Sequence, residues 1–161
     1  MMARPENDSR PLFSLAVATV LGVGYIPVAP GTCGSVVGLV IWWWALRPAS
    51  LVVQGTVIVV LLIAGSVSAT VVEPHFGRTD PRQVVIDEVM GMLITLFANP
   101  VGWIGAFAGF LLFRVFDVIK PYPANRLEQL HGGLGIMADD GMAAIYANLV
   151  LRAALYWALA K

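Results

Sequence analysis

The chain has 161 residues, 58% of them hydrophobic and 12% charged, with no net charge and a mean hydropathy of +0.80. Its length confines it to a single domain, 1–161, and zero net charge excludes a nucleic-acid binder, which needs a basic patch. An average soluble domain carries about 25% charged residues, so lipid is the expected solvent for part of this one. The lone cysteine, Cys33, excludes an internal disulfide and a cysteine-rich metal site.

Residues 1–10 form a polar tail of mixed charge, read as retained because no small-residue cleavage site leads into a mature domain. An apolar helix is predicted over 12–22. Pro27 and Pro30 keep GYIPVAPGT out of a helix, and the next apolar segment covers 35–46, ending at Arg47-Pro48. Residues 51–72 carry no charge and reach about 33 Å at a helical rise, enough to cross a hydrocarbon core of about 30 Å. After the polar loop EPHFGRTDPRQ, a segment runs from 84 to just before Asn99-Pro100. Another covers 103–119 and stops at Lys120-Pro121, and the Gly-rich loop HGGLGIM leads into the last, 139–160. The second and fourth segments, at roughly 20 Å, are short for a bilayer. They are half-immersed, re-entrant or buried among their neighbours. The expected fold is all-α, a small bundle of about five to six mostly apolar helices, membrane-embedded or membrane-associated. Gly34 with Gly38, and Gly105 with Gly109, either permit close helix contact in lipid or reflect chance in an apolar sequence.

Scarce charge makes its placement informative. If the segments after the first alternate direction, as short connections require, Ser35, Val72, Asp87-Glu88, Arg114 to Lys120 and Asp139-Asp140 all land on one face. Five carboxylates gathered there, Asp87, Glu88, Asp117, Asp139 and Asp140, repel one another unless a cation lies between them. Hard cations such as magnesium prefer oxygen ligands. Asp87-Glu88 and Asp139-Asp140 are each also explained as helix N-terminal acids favoured by the macrodipole. Asp117 lies near a helix C-terminus, where the dipole disfavours it, and needs either Arg114 or a metal. Ionisable residues in membrane segments are functional candidates by default.

PGTCGS opens the second segment with Gly31, Thr32, Gly34 and Ser35, offering amides and hydroxyls that suit a phosphate at a helix N-terminus, or plain capping. Arg114 and Lys120 add charge-assisted donors. His131, on the Gly loop, is a candidate proton donor to a leaving oxygen. Arg78, Asp80 and Arg82 either contact a headgroup or solvate their loop. Other phosphate chemistries are excluded by inspection. Cys33 has no arginine six residues on, there is no DxDxT and no phosphate-binding GxxxxGK[ST] loop, and DGMAA at Asp140 lacks the arginine and the later aspartates of CDP-alcohol phosphotransferases.

The ordered set PGTCGS, VVIDEVMGMLI, FRVFDVIKPYP and HGGLGIMADD resembles the phosphatidylglycerophosphatase A family from about Gly24 to Ala144. The resemblance implies magnesium-dependent hydrolysis of phosphatidylglycerophosphate to phosphatidylglycerol and phosphate at the bacterial cytoplasmic membrane, with the site facing the cytoplasm. It implies functional roles for Asp87, Glu88, Arg114, Asp117, Lys120, His131, Asp139 and Asp140, and for Thr32, Gly34 and Ser35. On this reading the five carboxylates hold Mg2+, while Thr32, Gly34, Ser35, Arg114 and Lys120 bind the phosphate. The substrate is a membrane lipid and nucleic acid has no part. The rival class is a magnesium-binding membrane transport or scaffold protein without turnover, which would continue polar positions down its helix interiors.

Overall fold

The computed structural model describes residues 12–159, so the predicted polar tail lies outside the described residues. Among those residues the secondary structure is helical throughout: α1 (Leu12–Ala18), α2 (Pro30–Ile41), α3 (Leu51–Phe76), α4 (Ile86–Leu96), α5 (Trp103–Ile119), α6 (Ala124–Leu127) and α7 (Gly133–Leu159). A 3-10 turn, Val23–Tyr25, follows α1, and a π-helical stretch, Trp42–Leu46, prolongs α2. The all-α bundle expected from the sequence is the fold observed; α6, a single turn, is an addition to it.

Four helix boundaries differ from the sequence expectation. α1 stops at Ala18 instead of 22, because Val20, Leu21 and Gly22 all take positive φ and cannot continue a right-handed helix. α2 begins at Pro30 instead of 35, because proline has the right φ for a first helical position and no amide to leave unpaired. α3 continues through Glu73 and Pro74 to Phe76, and ends where Gly77 turns left-handed and returns its amide to the Glu73 carbonyl. α7 begins six residues early, at Gly133, whose amide donates to Thr70 Oγ1 of α3 at 2.8 Å. The HGGLGIM stretch is therefore mostly helix. Asp139 and Asp140 sit in its second turn, so they are not the N-terminal acids that the macrodipole argument would have made them.

The short fourth segment is explained by its surroundings. Nine of the eleven residues of α4 are buried, among them Met90, Met92, Leu93 and Leu96, with α2, α3, α5 and α7 packed around it. A helix enclosed by protein has no need of bilayer length. α2 approaches it through Gly34 and Gly38: a methyl at Gly38 would lie 2.8 Å from both the Val89 carbonyl oxygen and Met92 Cβ. Of the second glycine pair, Gly109 meets Leu96 and Leu151 across the bundle, whereas Gly105 faces only Val101 of its own approach turn.

α3 and α7 are each long and apolar enough to cross a membrane. In α3 the most apolar window has a mean hydropathy of 2.3 and only 22% of it is buried inside the protein, leaving Val52, Val59, Val60, Ile63 and Val67 exposed. An apolar surface of this extent suits lipid rather than water.

Candidate active site

The expected gathering of charge at one end is observed. A cavity of about 290 Å³ is lined by the start of α2 (Pro30, Gly31, Thr32), the loop before α4 (Asp80, Arg82), Asp87 and Glu88 of α4, Arg114 and Asp117 of α5, Lys120, and Asp139 and Asp140 of α7. Gly34 and Ser35 stand behind this lining. Gly34 packs against Val85 and the Glu88 stem, and both residues lie in the second turn of α2, where amides close onto carbonyls four residues back. The free amides of the helix start belong instead to Gly31 and Thr32.

Arg114 organises the α2, α4 and α5 side of the site. Its Nη1 donates to Asp117 Oδ2 at 2.9 Å and to Ser35 Oγ at 3.3 Å, and lies 4.0 Å from Glu88 Oε1. Ser35 Oγ in turn donates to the Gly31 carbonyl at 3.1 Å. Of the two partners the sequence offered Asp117, Arg114 is present. Gly31 allows the approach of α2 and α4 at this point, since a methyl there would fall 2.0 Å from Glu88 Oε1.

Lys120 organises the other side. It caps α5 in a left-handed conformation, φ 44°. Its Nζ donates to Asp139 Oδ2 and lies 3.6 Å from Glu128 Oε2. Burial works against its charge, but the hydrogen bond and charge of Asp139, with the charges of Glu128 and Asp140, outweigh it and raise its pKa further. The lysine is held firmly as a cation.

Asp87, Glu88 and Asp140 form the centre. Each offers an oxygen within 4.8 Å of the others, and Asp140 also meets the Asp117 carboxyl. Burial raises the Asp87 pKa well above the usual carboxylate range, reinforced by the charges of Glu88 and Asp140. Burial likewise raises that of Glu88, against the pull of Arg114. Asp87 Oδ1, Glu88 Oε2, Asp139 Oδ1 and Asp140 Oδ2 are enclosed and have no hydrogen-bond partner. Arg114 and Lys120 balance two of the five carboxyl groups, leaving three in excess of the cations beside them. Buried, unpaired carboxylate oxygens are costly, and an all-oxygen set with excess negative charge fits a hard divalent cation.

His131 is exposed and lies beside this cavity, not in it. It lines an adjoining space of about 270 Å³ with Glu73, Thr79, Glu128 and Gln129, and the two cavities share Asp80, Ile136 and Asp139. Asp80 and Arg82, which the sequence left between headgroup contact and solvation, line the main cavity, and Arg78 is not among its lining residues. Burial raises the Asp80 pKa. Glu128 was not foreseen, as it stands in no motif and only α6 brings it to Lys120.

The sequence profile of the phosphatidylglycerophosphatase A family matches residues 16–155. Two bacterial proteins named phosphatidylglycerophosphatase A are similar to the chain. The Haemophilus influenzae protein is 36% identical over 92% of this chain and 91% of its own length. The Escherichia coli protein is 34% identical over 89% and 83%. A Bacteroides thetaiotaomicron protein provisionally named a phosphatidylinositol-3-phosphatase is 36% identical over 90% and 96%. No solved structure matches the chain.

Proposed function

The chain belongs to the phosphatidylglycerophosphatase A family, and from that premise we propose how a lipid phosphatase acting on phosphatidylglycerophosphate works in this acidic cavity. The observation that carries the reading is the trio Asp87, Glu88 and Asp140, three carboxylates within 4.8 Å of one another with enclosed oxygens that lack partners. We assign magnesium to this trio, with Asp117 and the free oxygen of Asp139 at its edge. A divalent cation held there supplies positive charge against the phosphoryl oxygens and toward an attacking water.

The protein's own groups do the rest. Arg114, pinned by Asp117 and Ser35, and Lys120, pinned by Asp139 and Glu128, present fixed cations to the phosphate. Such donors need no reorganisation as charge develops in the transition state. Thr32 and the free amides at the start of α2 add neutral donors, while Gly34 and Ser35 set the position of that helix start. Water adds to phosphorus and gives up a proton to a cavity carboxylate. The bond from phosphorus to the glycerol oxygen breaks, and that oxygen takes a proton, for which His131 in the adjoining space is the proposed donor. Residues 1–161 act as one domain, the acyl chains stay in lipid beside the apolar helices, and the cavity faces the cytoplasm at the bacterial inner membrane.

A transport path is disfavoured by what lies beyond the cavity. Trp42, Leu46, Met92, Leu93, Leu96 and Phe113 form an apolar core toward the far end, with no carboxylate among the described residues to carry a cation onward.

Purified protein in detergent is expected to release phosphate from phosphatidylglycerophosphate with magnesium, to stop with a chelator and to recover when magnesium is restored. Phosphatidylinositol 3-phosphate, the other lipid monoester suggested by a relative's name, is the comparison substrate. A rate unaffected by chelation would remove the metal from the mechanism, and faster turnover of the inositol lipid would reassign the substrate.

A further inference from the structure

The opposite end of the bundle has the reverse chemistry. Every acidic residue among those described lines one of the two cavities at the active end, whereas the far end carries Arg47 and Arg152. Arg47 is exposed, makes no ion pair among the described residues, and lies over the Trp43 ring at 4.5 Å. Arg47 also borders a cavity of about 350 Å³ lined by Trp42, Leu51, Gln54, Asn99 and Pro100. The Gln54 amide nitrogen donates to the Leu46 and Ala49 carbonyls, both at 3.1 Å. That use of both N–H bonds fixes Oε1 as an enclosed acceptor without a partner. Trp42 Nε1 is an enclosed donor, also without a partner. Trp42 is 2% exposed and Gln54 7%. A buried donor and acceptor left open ask for a group that supplies both.

A second feature is continuous with the first. Arg47 also borders the cleft against Trp43 and Trp44, and those two tryptophans line an apolar groove of about 300 Å³ with Trp103 and Phe107. A cation, an unsatisfied donor and acceptor, and an apolar groove thus follow one another along the surface.

We propose that this end binds one anionic glycerophospholipid with a hydroxylated headgroup. Its phosphodiester pairs with Arg47, its headgroup hydroxyls enter the cavity beside Trp42 and Gln54, and an acyl chain lies along Trp44, Trp103 and Phe107. Charge complementarity selects this occupant, since the site offers positive charge with no acid near it among the described residues. The site lies in the leaflet opposite the active site and takes no part in hydrolysis. The inference rests on the reading that the chain spans a membrane.

Tryptophan quenching by brominated lipid tests it, because all five tryptophans belong to the stretches 42–44, 103 and 157, away from the acidic cavity. Protein is reconstituted in phosphatidylcholine vesicles containing increasing brominated phosphatidylglycerol or brominated phosphatidylcholine. Half-maximal quenching is expected at about fivefold lower mole fraction of the phosphatidylglycerol, the worth of one arginine near an anionic headgroup. Arg47→Gln is expected to erase the preference and Arg47→Lys to keep most of it, both with wild-type phosphate release. Trp42→Phe removes the indole N–H together with the five-membered ring and is expected to weaken the preference; it replaces Arg47→Gln as the deciding variant should the latter lose phosphate release. Equal curves for the two lipids, or a preference that survives Arg47→Gln, would reduce these residues to an unselective interfacial belt and overturn the site. Absence of quenching by either lipid would instead overturn the membrane reading.

Discussion

Lys120 and Asp139 are ion-paired at the edge of the acidic cavity, while Asp140, the next residue in α7, has no basic partner among the described residues. Two adjacent carboxylates of one motif thus have different surroundings. Asp139 restrains a cation and Asp140 joins the trio with Asp87 and Glu88.

The two aspartates are therefore expected to separate by mutation. Asp140→Asn should weaken divalent-metal binding by at least about tenfold and lower turnover by about 10²–10³-fold, the usual worth of one central electrostatic contact. Asp139→Asn should change metal affinity by about fivefold or less, as for a partly exposed ion pair, and act mainly by raising KM as Lys120 loosens. Calorimetry with metal alone, beside phosphate release, distinguishes them. Equal loss of metal binding in both would place Asp139 in the metal set.

Arg114 contacts three elements with one nitrogen, so its charge is not its whole contribution. Arg114→Lys keeps the charge but presents a single flexible ammonium in place of a planar fork. A fall of about tenfold or more in kcat/KM is expected, with thermal stability in detergent nearly unchanged. Wild-type kinetics in this variant would show that a point charge suffices.

Two glycines of α2 should fail in opposite ways. The methyl of Gly31→Ala meets the mobile end of Glu88, so the carboxylate shifts, metal binding drops and folding survives. The methyl of Gly38→Ala meets the Val89 backbone and Met92 Cβ, which cannot swing aside, so the helices must part at a cost of about 1–3 kcal/mol. Melting temperature and metal titration on both variants check the crossover.

Asn148 closes the far end of α4. Its Nδ2 donates to the carbonyls of Ile94, Thr95 and Phe97 at 2.9–3.0 Å. Asn148→Ala removes this shared donor while each carbonyl keeps another, Phe97 N on Ile94, Asn99 Nδ2 on Thr95 and Arg152 Nη2 on Phe97, so it should cost about 0.5–1.5 kcal/mol of stability, while the folded fraction hydrolyses substrate at the normal rate. A loss of turnover without loss of stability would tie this end of α4 to the chemistry.

Much of this protein was legible in its sequence because apolar helices with short connections leave few arrangements. Segment order alone places Asp87, Glu88, Asp117, Asp139 and Asp140 at one end, and they are there. The helix starts at Pro30 and Gly133 were less legible. Glycine-rich stretches have poor intrinsic helix propensity, and here tertiary contacts, Gly34 on Val85 and the Thr70 hydroxyl on the Gly133 amide, override it. The burial of α4 was also hidden, since an apolar helix has the same hydropathy whether lipid or protein surrounds it.

The sequence by itself determined the fold class and the end of the bundle at which the five carboxylates, Arg114 and Lys120 gather. Chain connectivity and the scarcity of charge are one-dimensional constraints, and they suffice for those conclusions. Only the tertiary structure decided which carboxylates share a centre and which are claimed by a cation. It grouped Asp87 and Glu88 with Asp140, gave Asp139 to Lys120 and Asp117 to Arg114, and set His131 in a neighbouring cavity. Those choices depend on how far each helix is rotated about its axis and how closely it approaches the next. Glycine contacts and side-chain packing across the bundle set both quantities, and no spacing along a single segment records them.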